Sequence, residues 1–161
     1  MERRHSLLAN LGLVSVLLTT SASSMADEIK HSFTVYKSPT CGCCNAWVDH
    51  MKDSGYEVST NHPMDLNAVK RHFGVQQNLS SCHTAVSEDN YIFEGHVPAK
   101  FVESFLANPP TGAIGLSVPA MPVGTPGMEV GDKFMPYKVM LMFEDGSSQV
   151  FASIGSQREQ F

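Results

Sequence analysis

The sequence has few basic residues and few long apolar stretches. Only 11 lysines and arginines stand against 16 aspartates and glutamates in 161 residues, a formal net charge of −5. Nucleic-acid binding is therefore not expected, because a duplex partner requires a basic surface. No apolar run reaches the about 20 residues that a membrane-spanning helix needs, so we expect no membrane span. No Gly-x-Ser-x-Gly motif follows a predicted strand, which argues against a serine hydrolase.

The N-terminus has the pattern of a secretory signal. Arg3 and Arg4 are followed by an apolar stretch over residues 7–18 and then by small residues that end at Ala26. This order of charged, apolar and small-residue regions is typical of a cleaved export signal. We expect residues 1–26 to be removed and residues 27–161 to form one domain in the periplasm. The paired arginines leave both the general and the twin-arginine export routes open.

The rest of the chain alternates strand and helix patterns. The predicted elements are a strand over 32–37, a helix from Cys44 that stops at Gly55, a strand over 56–60, a helix over 66–73, a hairpin of 83–86 with 91–93, and a helix opened by Pro98. The order βαβ, helix, ββα predicts a thioredoxin-like α/β domain. Residues 109–137 are rich in Pro, Gly and Met and predict a long loop that covers the cysteines. A C-terminal β-hairpin over 139–152 follows.

The four cysteines are unevenly distributed. Cys41, Cys43 and Cys44 lie at the start of the first predicted helix, and Cys82 stands alone. A helix N-terminus favours the thiolate, which is the form that binds metals and attacks disulfides. The sequence therefore predicts that this strand-to-helix turn carries the chemistry.

Three interpretations of the cysteines stay open. The first is a Cu(I) site in which bridging sulfurs hold more than one ion, since thiolates are the ligands that Cu(I) prefers. A single tetrahedral ion fits less well, because the adjacent Cys43 and Cys44 side chains are expected to diverge. The second is a redox pair, Cys41 with Cys44, at C-x-x-C spacing. The third is two structural disulfides, Cys41 with Cys44 and Cys43 with Cys82, as an oxidising compartment allows.

Four blocks of the sequence resemble one protein family. They run from Tyr36 to Met51, from Ser81 to Ala85, from Glu94 to Pro98 and from Met121 to Glu129. They are similar to the periplasmic domains of unknown function whose family includes the copper-resistance protein CopG. The resemblance implies a thioredoxin-like domain that binds copper through Cys41, Cys43, Cys44 and Cys82. It leaves open whether the copper forms a multi-ion thiolate cluster with a redox role in copper detoxification.

Other soft or imidazole ligands are candidates of lower rank. His96 ends the predicted hairpin and can approach the first helix, so it is a candidate for a position near the metal, an ordinary surface histidine being the alternative. Met121 and Met128 lie in the long loop, and their thioethers suit Cu(I). His83 follows Cys82 directly and is expected to point to the opposite face of the strand, away from the cluster.

The function predicted from these residues is copper binding in copper resistance. Copper ions are the expected partner, with a second periplasmic copper-handling or electron-transfer protein as a further one. Whether the protein is an enzyme stays open, a copper oxidoreductase being the catalytic version. The alternatives are a thiol-disulfide oxidoreductase that uses Cys41 and Cys44, and a passive copper chaperone.

Overall fold

A mixed seven-stranded β-sheet organises residues 31–161, the part of the chain that the computed structural model describes. The strands are β1 (Ser32–Lys37), β2 (Glu57–Asn61), β3 (His83–Ser87), β4 (Ile92–Glu94), β5 (Ala113–Ser117), β6 (Tyr137–Phe143) and β7 (Ser148–Ile154). The helices are α1 (Gly42–Asp53), α2 (Leu66–His72) and α3 (Ala99–Ala107). The strand order is β2-β1-β3-β4-β5-β6-β7. The β1–β2 and β4–β5 pairs are parallel, and the others are antiparallel.

Helix α1 confirms the helical pattern of the sequence. Cys44, Trp47, Val48 and Met51 recur at helical spacing, and all four are buried. Trp47 is fully buried, and its indole N–H donates to the backbone carbonyl of Val97 at 2.9 Å. The helix therefore has one apolar face, and its tryptophan links α1 to the segment between β4 and α3.

Helices lie on both faces of the sheet. α1 and α3 cover one face, where Trp47, Phe93 and Phe105 belong to the larger core. On the other face, Val75, Leu79 and Met142 form a smaller core beside α2. The mixed α/β class and the order of the first seven strands and helices, β1 to α3, agree with the prediction. No helix within 31–161 is both long and apolar enough to cross a bilayer.

The prediction of one continuous loop over 109–137 is wrong in part, because β5 lies inside it. This strand pairs with β4 on one side and β6 on the other. The strand is short, and Gly115 interrupts its apolar pattern. Gly115 has φ +148°, and a Cβ there would collide with the backbone of Ile92. The close approach of the Gly115 and Ile92 backbones requires glycine. Because glycine is unfavourable in strands, the sequence pattern does not indicate a strand here. Residues 118–136 stay irregular apart from one isolated bridge, Val130 with Lys133.

The predicted signal, residues 1–26, lies outside the described residues.

Candidate metal centre

The turn between β1 and α1 presents three of the four cysteines. The Cys41 amide donates to the Ser38 carbonyl at 3.2 Å, and Cys41 then caps α1 from an extended backbone conformation. Cys43 and Cys44 lie in the first helical turn. The unpaired amides of this turn and the helix dipole favour negative charge on nearby sulfurs.

The four cysteine sulfurs form one group. All four Sγ atoms lie within 4.8 Å of one another, and those of Cys41 and Cys43 are 3.5 Å apart. Cys41 and Cys44 are joined by a disulfide, whereas Cys43 and Cys82 are free. Holding a metal with all four sulfurs first requires that the disulfide be reduced, because only thiolates bind metals strongly.

The expectation that the Cys43 and Cys44 side chains diverge is wrong. Their sulfurs both lie within 4.8 Å of the Cys82 sulfur, which approaches from the start of β3. Cys43 and Cys44 lie in the first turn of α1, and Cys82 comes close to both from a different part of the chain, so the two sulfurs share a neighbour although they belong to consecutive residues. The proximity of the Cys43 and Cys44 sulfurs therefore removes the objection to a single shared ion, once the Cys41–Cys44 disulfide is reduced.

Cys82 also contacts two histidines. Its Sγ lies 3.1 Å from His96 Nε2 and 3.3 Å from His83 Nδ1. Burial, together with the nearby Cys43, raises the pKa of the Cys82 thiol to about 12. The metal-free thiol is therefore protonated at neutral pH, and a metal that binds Cys82 must displace this proton.

The His96 ring is held in the orientation and tautomer that a metal-binding histidine has. It is fully buried, and its Nδ1 lies 2.7 Å from the Pro126 carbonyl oxygen. A carbonyl only accepts hydrogen bonds, so Nδ1 carries the proton and the lone pair of Nε2 points at Cys82. Burial also lowers the pKa of His96, which favours this neutral form. A second hydrogen bond that fixes the tautomer is typical of metal-bound histidines.

His83 contradicts the expectation that it points away from the cluster. Cys82 precedes β3, so the strand alternation that separates neighbouring side chains does not apply between them. The His83 ring is fully buried between Trp47 and His96, at centroid distances of 4.6 and 5.1 Å. Burial, His96 and two lysines lower its pKa. Its Nε2 has no hydrogen-bond partner among the described residues.

The irregular segment 118–128 packs against the cysteine turn, as expected for a covering loop. Gly127 has φ +84°, and a Cβ there would lie 2.7 Å from both the Cys43 carbonyl oxygen and the Trp47 amide nitrogen. Of the two candidate methionines in this segment, Met128 is partly buried and Met121 is half-exposed. The loop therefore contributes backbone to the site at Pro126 and Gly127.

A buried ion pair between Lys70 and Glu94 lies next to the segment that carries Cys82. Glu94 is fully buried, pairs with Lys70, and accepts hydrogen bonds from the Thr84 hydroxyl at 2.7 Å and the Ser81 amide at 2.6 Å. Sequence reasoning missed this network. In the sequence, only Glu94 could have indicated this network, because it is an acidic residue at the end of an apolar strand pattern.

Comparison with known proteins identifies relatives in one family. The family model described as "Protein of unknown function, DUF411" matches residues 79–128. Two solved structures titled copper resistance protein copG, forms 2 and 1, are each 36% identical to the chain. Their TM-scores are 0.72 and 0.71. Each match covers 76% of this chain, together with 97% and 95% of the respective solved chains. No curated protein matches the chain. At this identity and coverage, the chain belongs to the family of the copper resistance protein CopG.

Proposed function

We propose that this protein holds Cu(I) through Cys41, Cys43, Cys44 and Cys82 and serves copper resistance in the periplasm. The observation that carries the proposal is the convergence of four cysteine sulfurs within 4.8 Å at a helix N-terminus. Soft thiolates select Cu(I) over hard cations, and sulfurs this close can bridge neighbouring ions into a cluster. The relatives titled copper resistance proteins support copper as the metal.

We include His96 as a nitrogen ligand beside the cluster. Its Nε2 lone pair is directed at Cys82, and its Nδ1 is held by Pro126. Met128 and Met121 are the remaining candidates from the loop. Since Met121 is half-exposed, any ion that it binds lies nearer the surface than one held by Cys44, which is fully buried.

A copper redox role extends the proposal. The Cys41–Cys44 disulfide supports it, because this pair can store two electrons. Two Cu(II) ions would oxidise the two thiolates to the disulfide and become two Cu(I) ions, so that electrons balance without another reactant. A periplasmic electron-transfer or copper-handling partner would then reduce the disulfide again.

The fold and location belong to the same proposal. Parallel β1 and β2, antiparallel β3 and β4, and a cysteine turn at the start of α1 favour a thioredoxin-like core to which β5, β6 and β7 are added. Residues 1–26 would direct export and be removed, leaving the domain 27–161. N-terminal sequencing of protein from a periplasmic extract tests this: a mature chain that begins at Asp27 is expected, and one that begins at Met1 contradicts it.

Metal analysis of protein isolated with copper present tests the central claim. We expect bound copper in the wild-type protein, and strongly reduced copper in Cys43→Ser and Cys82→Ser. Met135→Leu is the control, because this exposed methionine is not among the candidate ligands. Copper at background level in wild-type protein whose cysteines have been reduced would refute the proposal.

The second candidate is a thiol-disulfide oxidoreductase. The Cys41–Cys44 disulfide at C-x-x-C spacing favours it. A pure redox pair needs neither Cys43 nor Cys82, so metal-free reductase activity that survives Cys43→Ser supports this candidate against the cluster. Transfer of copper to an acceptor without a change of oxidation state would instead support a passive chaperone.

A further inference from the structure

Gln160 is a buried polar residue in the short 3-10 helix Gln157–Gln160, which follows β7. The residue is only 1% exposed. A side-chain amide is buried at low cost only when its hydrogen bonds are made, so the partners of Gln160 show which parts of the fold it connects.

The Gln160 amide joins β6 to the covering loop. Its Nε2 lies 2.9 Å from the Gly124 carbonyl oxygen, and its Oε1 lies 2.6 Å from the hydroxyl of Tyr137, the first residue of β6. A carbonyl only accepts hydrogen bonds, so Nε2 donates to Gly124 and the Tyr137 hydroxyl donates to Oε1. The buried phenol therefore fixes the amide in the orientation that holds the loop.

The helix that carries Gln160 is itself attached to α3. The Lys100 ammonium donates to the carbonyl oxygens of Glu159 and Phe161, at 3.1 and 3.2 Å. These two carbonyls lie on either side of Gln160 in the chain. The Gln160 side chain therefore reaches the loop from a segment that is fixed to the rest of the domain.

From Gly124 the connection continues to a candidate copper ligand. The Gly124 amide donates to the Met128 carbonyl at 2.9 Å, which closes this part of the loop into a compact turn. Inside the turn, the buried Pro126 carbonyl accepts from Nδ1 of His96 at 2.7 Å. Because a closed turn moves as a unit, a bond that holds Gly124 also holds the carbonyl that orients His96.

We propose that Gln160 is a positioning residue for the copper site, which holds the covering loop closed through Gly124 and thereby slows the release of copper. The inference rests on the proposed copper site but does not require its ion count. Loss of the Gln160 amide removes a donor from the buried Gly124 carbonyl. The closed loop is then less favoured, and the turn at Pro126 leaves His96 more often.

Hydrogen exchange followed by mass spectrometry tests the hold on the loop in oxidised, copper-free protein. In wild type, we expect the amides of residues 122–136 to exchange faster than those of β1 and β3, because the loop opens without unfolding of the sheet. Gln160→Met keeps the length of the side chain but cannot donate to Gly124. It should therefore accelerate exchange in residues 122–136 at least about threefold, since the lost bond is one that loop opening breaks.

Two further variants make this measurement specific. Gln157→Met is the matched control, because it makes the same substitution at a partly exposed glutamine of the same helix, and it should exchange as wild type does. Tyr137→Phe keeps Gln160 and removes the hydroxyl that orients its amide, so it should accelerate the same loop amides by a smaller factor. If Gln160 supports only the global fold, its bond breaks only on complete unfolding, and Gln160→Met would leave the loop amides at the wild-type rate.

Transfer of Cu(I) from loaded protein to the chelator bathocuproine disulfonate tests the link to the copper site. Gln160→Met should release copper at least about threefold faster than wild type, and Gln157→Met at the wild-type rate. Loop amides that exchange at the wild-type rate in Gln160→Met, an unchanged release of copper, or a variant that does not fold each overturn the proposal. Because hydrogen exchange is measured without copper, a failure there is distinct from a failure of wild-type protein to bind copper.

Discussion

The buried pair of Lys70 and Glu94 gives the sharpest stability prediction. Glu94→Gln keeps the size of the side chain and an oxygen that can accept from the Ser81 amide, but it removes the negative charge. The Lys70 side chain is only 5% exposed, so its ammonium would be left buried without a counter-charge. Removing one partner of a buried pair typically costs about 3–5 kcal/mol. A domain of this size is stable by about 5–15 kcal/mol, so the loss should be large.

Urea denaturation of the oxidised, copper-free protein measures this loss. The companion variants are Lys70→Met and the double variant Lys70→Met with Glu94→Gln. In the double variant no charge is left unpaired, so its loss of unfolding free energy should be clearly smaller than the sum of the two single losses. If Glu94→Gln lowers the free energy of unfolding by less than about 1 kcal/mol, or if the losses in the double variant are additive, the ion pair contributes little to stability and the prediction is wrong.

Three further changes have defined outcomes. His50 accepts the first amide of α3 through Nε2 at 3.0 Å, and burial lowers its pKa. Because the unfolded chain binds the proton more readily, the free energy of unfolding should fall as pH falls below about 6.5. His50→Gln should make this dependence of the unfolding free energy on pH less steep. The control is His72→Gln, which changes an exposed histidine and should leave the dependence as it is in wild type. Gly127→Ala should dislodge the covering loop and cost about 1–3 kcal/mol by thermal unfolding, whereas Gly131→Ala, also at positive φ but in open space, should cost less. Trp47→Phe loses a buried hydrogen bond and should cost at least about 1 kcal/mol by urea denaturation, with unchanged stability as the contradicting result.

Periodicity predicted the elements with regular patterns well. The apolar spacing of α1 identified its buried face, and β1 and β3 were located within a residue of their ends. The strand β5 was missed because five residues with a central glycine carry no alternation. Its identity as a strand depends on β4 and β6, which pair with it from distant parts of the chain.

The cysteine turn could be predicted because its residues are close in sequence. The surroundings of Cys82 could not. The predicted start of β3 at His83 is right, but Cys82 precedes the strand, so the alternation of side chains along a strand does not tell where Cys82 points relative to His83. Lys37 and Glu94 also escaped prediction. A pattern of polar and apolar residues assigns charged side chains to the surface, whereas these two are buried by contacts that form only in the folded chain.

Copper bound at this site would lengthen the lifetime of the folded state, because its candidate ligands come from distant parts of the chain. The candidate ligands come from the start of α1, the start of β3 and the turn before α3, and the loop at Pro126 is attached through His96. Copper bound by Cys41, Cys82 and His96 would tie Cys41 to residues about 40 to 55 positions further along the sequence, and would thereby close long loops as a cross-link does. A loaded protein would then resist proteases longer than the reduced, metal-free form. The turnover of the protein would then depend on copper supply, since molecules without copper would be degraded first.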